Sequence, residues 1–128
     1  MHILLIEPNV ALAATYTAAF AHAGWQVSVA GDPQAAIDAA DAKTPDVVVL
    51  ELQLPAHSGI EFLHEFRSYA EWRHTPIIIN TFIPANRMAV YQEVLRRDMG
   101  VCAIFAKPQT RLEILTNAVR RAAVYARA

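Results

Sequence analysis

Apolar positions along this chain alternate between two rhythms. Short segments rich in apolar residues recur at 2–6, 25–29, 47–50, 77–79 and 101–106. Between them, apolar residues return every three or four positions: Leu12, Tyr16 and Phe20; Ile60, Leu63 and Phe66; Met88, Tyr91 and either Val94 or Leu95; Leu112, Leu115 and Val119. The first rhythm predicts buried strands and the second predicts helices with one face inward. The boundaries carry their own signals. Pro8 and Asn9 open the first helix, Asp32-Pro33 opens a second that runs to about Ala42, and Pro84 opens the fourth; Asp and Asn cap N-termini, and proline is tolerated in the first turn. Ser58 with Glu61 three residues on predicts a capping box on the third helix, and Thr110 predicts the cap of the last. Gly24 and Gly100 stop the helices before them, Gly100 as a left-handed cap.

Five strands alternating with five helices predict a doubly wound α/β fold with a parallel sheet covered on both faces. At 128 residues the chain fits one domain over 1–128. A hydrophobic content of 55% and a mean hydropathy of +0.23 imply a well-filled core. The apolar runs are too short to span a bilayer, and no basic segment precedes the first, so the reading is a soluble, cytoplasmic domain with no membrane partner. A formal net charge of −1 gives no case for direct nucleic-acid binding by this domain. Cys102 is the single cysteine, which excludes a disulfide framework, and its apolar run predicts a buried, inert thiol.

In a parallel sheet all carboxyl ends of the strands share one rim, and ligands bind there. Four polar residues end strands on that rim: Glu7, Glu51, Thr81 and Lys107. The turn after the first strand, Glu7-Pro8-Asn9-Val10, lacks the glycines of a phosphate-binding loop, which argues against a dinucleotide or flavin site. His57 sits near the same rim. His22, His64 and His74 show no ligand spacing, and His22 and His64 are expected on helix surfaces.

The runs 3–7 and 45–55 with Gly59, the run 76–81, and Ala106-Lys107-Pro108 together make the whole chain resemble the CheY-like receiver domains of bacterial two-component response regulators. The resemblance implies a flavodoxin-like (βα)5 fold with strand order 2-1-3-4-5. It places Glu51 where the family carries a phosphorylated Asp. Glu7 and Pro8 match the acidic pair that helps hold Mg²⁺, and the Gln53 carbonyl matches a third metal ligand. Thr81 and Lys107 match the hydroxyl and ammonium that contact the phosphoryl group. Ile104 matches an aromatic switch residue, with Phe105 beside it.

The departures shape the expectation. Pro8 removes a carboxylate from a metal that tolerates little deviation from octahedral oxygen ligation. Glu51 displaces its oxygens by about 1.5 Å, one C–C bond. Ile104 cannot make an aromatic rotamer change. The segment between Thr81 and Lys107 is longer than usual, which predicts a remodelled fourth helix or entry loop. The expected function is therefore a non-enzymatic, atypical receiver that signals by protein–protein contacts, without aspartyl phosphorylation and without a cofactor. Glu51 either imitates the phosphorylated state or is inert in a fixed platform, with Ile104 favouring the second. The alternatives are a conventional phosphoreceiver using Glu51 with Mg²⁺ held by Glu7, Glu51 and Gln53, and a small-molecule-sensing pseudo-receiver. Expected partners are an effector domain or protein, with a histidine kinase as a candidate. A homodimer through helix 4, strand 5 and helix 5 is a further candidate, with Met88, Tyr91, Ile104 and Tyr125 as apolar contacts. Arg111, Arg120, Arg121 and Arg127 give the last helix a basic face, read as solvated or, alternatively, as a contact for an acidic partner or a nucleic-acid backbone. The chain also suits the N-terminal regulatory part of a longer transcriptional regulator.

Overall fold

The computed structural model describes residues 1–108 and 110–127, with side chains to residue 124. Strands β1 (His2–Ile6), β2 (Gln26–Ala30), β3 (Val47–Leu50), β6 (Ile77–Thr81) and β7 (Val101–Ala106) form one parallel sheet in the order β2-β1-β3-β6-β7. Counted along the chain, that is the expected order 2-1-3-4-5. A two-stranded hairpin, β4 (Gln53–Leu54) with β5 (His57–Ser58), is inserted directly after β3.

Two cores sandwich the sheet. On one face α2 (Pro33–Ala42) and α3 (Gly59–Ser68) bury Ile37, Phe62, Leu63 and Phe66 against Leu4, Ile6, Val48, Leu50, Ile77 and Ile79. On the other, α1 (Val10–His22) and α5 (Leu112–Arg127) bury Tyr16, Phe20, Leu115 and Val119 against Ile3, Leu5, Val47, Val49 and Ile78. Strands buried on both faces need no polar alternation, which is why β3 reads as a solid apolar run and β1 and β6 nearly so.

Several ends follow local chemistry. The Asn9 side chain caps α1 by accepting from Leu12 N–H at 2.9 Å, so the helix starts just beyond Pro8. Asp32 caps α2 by accepting from Ala35 N–H at 2.8 Å. Gly24 and Gly100 both take positive φ, +89° and +65°. The expected capping box is only half formed: the Ser58 hydroxyl accepts from Ile60 N–H at 3.1 Å, while Glu61 points to solvent.

Other expectations need correction. β2 starts at Gln26, leaving Trp25 in the turn. Thr110 does not cap α5; its hydroxyl donates to the Ala106 carbonyl at 3.2 Å, and the helix begins at Leu112, which is 41% exposed. Cys102 is exposed, not buried. The register explains it: Ile77 faces Val101 while Ile78 faces Ala103, so Cys102 is the extra residue of a β-bulge on an edge strand. Tyr125 and Arg127 lie outside the residues with described side chains.

The fourth helix departs most. The regular part, α4, covers only Ala85–Met88, and a π-helical turn follows at Val94–Asp98. Met88 and Leu95 are buried, but Tyr91 and Val94 are 48% and 45% exposed. A π turn takes in one residue more than an α-helical turn. Arg67 pins the end of this segment. Its guanidinium donates to the carbonyls of Met99 (2.8 Å) and Trp72 (2.7 Å), and its burial lowers its pKa from the ordinary value.

Candidate functional site

The backbone ladder carries the rim residues into place. Glu7 N–H donates to Ala30 O (3.0 Å), Glu51 N–H to Ile6 O (3.0 Å) and Lys107 N–H to Thr81 O (2.8 Å), so each is fixed to the neighbouring strand. Gly59 sets the local path after Glu51. A Cβ there would lie 2.7 Å from Leu52 Cα and 3.1 Å from the Glu51 carbonyl, so the chain passes where no side chain fits.

Glu7, Glu51, Thr81 and Lys107 meet in one buried cluster, each no more than 6% exposed. The Lys107 ammonium bridges both acids: it pairs with Glu7 Oε1 in a very short contact and with Glu51 Oε1 at 3.0 Å. Glu51 Oε1 also accepts from Phe82 N–H at 2.9 Å. Glu51 Oε2 accepts from the Thr81 hydroxyl, in another very short bond, and from Gln53 N–H at 3.0 Å. Glu7 Oε2 accepts from Asn9 N–H at 3.1 Å. Both carboxylates therefore have both oxygens engaged. Burying such charges is tolerable only with this degree of pairing.

Pro8 is half-buried and brings no side-chain oxygen to the cluster. Ile104 lies opposite Ile79 in the sheet register and packs against the α2/α3 core. His57 is in β5, exposed.

The sequence reading passed over three features. The Phe82 ring, 46% exposed, sits 4.8 Å from Lys107 Nζ and roofs the ammonium in a cation–π contact. Its position directly after Thr81 was the available signal. His2 is buried, with Nε2 2.7 Å from Ser28 Oγ and Nδ1 3.3 Å from the Thr44 carbonyl, at the opposite rim from the cluster. Ala56 takes φ +58° in the turn of the hairpin that follows Glu51. Left-handed backbone costs an L-residue about 1 kcal/mol. Ala56→Gly is therefore expected to raise stability by about 0.5–1 kcal/mol, read as a higher urea midpoint with unchanged slope.

A strand order of 2-1-3-4-5, with two acids, a hydroxyl and a lysine converging on the carboxyl rim, defines a receiver-type domain. The family comparison agrees: residues 3–120 match the response regulator receiver domain, and the chain belongs to that family. It is 41% identical over 66 residues to the probable transcriptional regulatory protein TcrX of Mycobacterium tuberculosis, covering 52% of this chain and 28% of that protein. It is 30% identical over 116 residues to the response regulator ArlR of Staphylococcus epidermidis, covering 91% of this chain and 50% of that one. The chain thus spans half or less of the length of these relatives. Among solved structures it resembles the chemotaxis protein CheY4 of Vibrio cholerae, with a TM-score of 0.82 at 21% identity over 94% of this chain and 97% of that one. At that identity the likeness shows the fold. The chain is a receiver domain of two-component signalling. No helix among the described residues is long and apolar enough to cross a membrane.

Proposed function

We propose that this receiver signals through protein–protein contacts, without phosphorylation of the acid at position 51 and without Mg²⁺. The observation that carries the reading is the full engagement of Glu51. Lys107, Thr81, Phe82 N–H and Gln53 N–H all bond its carboxylate. A phosphoryl acceptor needs an oxygen free for in-line attack and a metal to neutralise the incoming charge.

The donor set also fits Mg²⁺ poorly. Octahedral ligation at about 2.1 Å requires several oxygens facing one point. Here the oxygens of Glu7 and Glu51 face an ammonium and main-chain N–H groups, and Pro8 supplies none. The residues present do not fit the ion. Lys107 takes the place of a cation between the two acids.

In this reading Glu51 holds the pocket in one state. The contacts to Thr81 and Lys107 are those the family resemblance assigns to a phosphoryl group, which gives the mimicry version specific support. Ile104, packed into the core, favours a fixed platform. Structures of Glu51→Asp and Glu51→Gln separate the two: mimicry predicts a shift of the 85–98 segment and β7, and a fixed platform predicts none. In both versions millimolar Mg²⁺ leaves the melting temperature of the natural chain unchanged, and a Mg²⁺-dependent rise would contradict the reading.

The output face is the remodelled 85–98 segment with β7. Tyr91 and Val94 present apolar surface there, suited to an effector domain or protein partner. The longer relatives support a place for this domain as the regulatory part of a larger transcriptional regulator, acting as a binding module and not as an enzyme.

A further inference from the structure

Arg120 and Arg121, neighbours in sequence, lie on different grooves. Arg121 borders the groove between β7 and α5, beside Cys102 and Phe105. Arg120 borders a groove of about 480 Å³ between α1 and α5. Its guanidinium is held in place there. It stacks over the Trp25 ring, 5.4 Å from the centroid, and donates to Asn117 Oδ1 at 2.7 Å. Glu113 lines the same groove, two helical turns earlier, about 10 Å along the axis. It is exposed, with only a loose 3.4 Å contact to Arg111. Ala19 and His22 of α1, with Ala23 just after it, make the opposite wall. Val124, 63% exposed, lies beyond Arg120 on a second hollow that Arg120 also borders.

Glu113, Asn117, Arg120 and Val124 recur at steps of four, three and four. That spacing places them along one face of α5. The face is also self-complementary in charge. An antiparallel copy of α5, related by a two-fold axis passing between Thr116 and Asn117, brings each Glu113 opposite Arg120 of the second copy. One symmetric contact then forms two ion pairs, each with an arginine already oriented by Trp25 and Asn117.

We propose that the α1–α5 groove is a homodimer interface whose occupant is a second copy of this chain, registered by reciprocal Glu113–Arg120 pairs. This is not the homodimer surface expected from the sequence, which used helix 4, strand 5 and helix 5. It leaves the 85–98 segment and β7 open to an effector, and it does not depend on the state of Glu51.

Sedimentation equilibrium of the 128-residue chain tests it with four samples: the natural chain, Glu113→Arg, Arg120→Glu, and an equimolar mixture of the two variants. Each single reversal places two like-charge pairs in the homodimer, so dimerisation weakens by at least about a hundredfold. The mixture regains the dimer, because both cross pairs become opposite in sign. That recovery also shows that both variants are folded. A natural chain that stays monomeric at every concentration overturns the proposal. So does a dimer that survives both single reversals, or a mixture that stays monomeric.

Discussion

Lys107→Met lowers the unfolding free energy by about 3–5 kcal/mol, the loss that follows when one partner of a buried ion pair is removed and the other is stranded. The effect is at the upper end here because two carboxylates are left. Glu7 and Glu51 are 4% and 3% exposed, and both face the ammonium. Main-chain N–H groups still bond Glu7 Oε2 and both Glu51 oxygens, but no positive charge remains between the acids. The check is a double-mutant cycle in urea. Adding Glu7→Gln to Lys107→Met removes one stranded charge and recovers part of the loss, whereas Glu7→Gln alone destabilises. If Lys107→Met costs less than about 1 kcal/mol, the range of solvent-exposed pairs, the cluster is open to water and Glu51 is not locked.

Trp72→Ala costs about 3–5 kcal/mol, as for other fully buried aromatic residues. Trp72 is 1% exposed in a 3₁₀ turn after α3, with its ring stacked on Phe66 at 4.9 Å and Tyr69 meeting it edge-on at 5.0 Å. Its carbonyl also receives Arg67, whose other bonds hold the end of the π-helical turn. With domains stable by only about 5–15 kcal/mol, the variant sits near its unfolding threshold. Trp72→Phe keeps a stacked ring and retains most of the stability. A urea midpoint for Trp72→Ala close to that of the natural chain would remove Trp72 from the account.

The strands and the rim were legible because their causes are local. β3 is apolar throughout, and β1 and β6 nearly so, because both their faces are covered. A parallel sheet then delivers Glu7, Glu51, Thr81 and Lys107 to one rim without any knowledge of packing. Asn9 and Asp32 announced their helices through side chains that reach only three residues. What the sequence hid depends on neighbours. Cys102 looks buried in an apolar run, but a one-residue bulge on an edge strand turns it outward. Met88, Tyr91 and Leu95 are spaced for a continuous helix, yet the segment tightens at Tyr91 N–H to Met88 O and widens at Met99 N–H to Val94 O, which leaves Tyr91 exposed. Phe82 stands directly after Thr81 in the sequence, but its 4.8 Å approach to Lys107 is what shows that it covers the cluster. The separation of Arg120 from Arg121 needs the positions of α1 and β7 on either side of α5.

The central claim is that the Glu51 pocket does not accept a phosphoryl group. Intact-mass spectrometry after incubation with acetyl phosphate and Mg²⁺ tests it most directly, with the natural chain beside a variant carrying both Glu51→Asp and Pro8→Asp. The account predicts no adduct on the natural chain and a phosphoryl adduct on the double variant, whose two changes restore the acceptor length and the second acid. Misplacing a reacting oxygen by about 1 Å alone slows transfer about a hundredfold, so the contrast should be plain within one incubation. A phosphoryl adduct on the natural chain would contradict the account and make Glu51 a working acceptor.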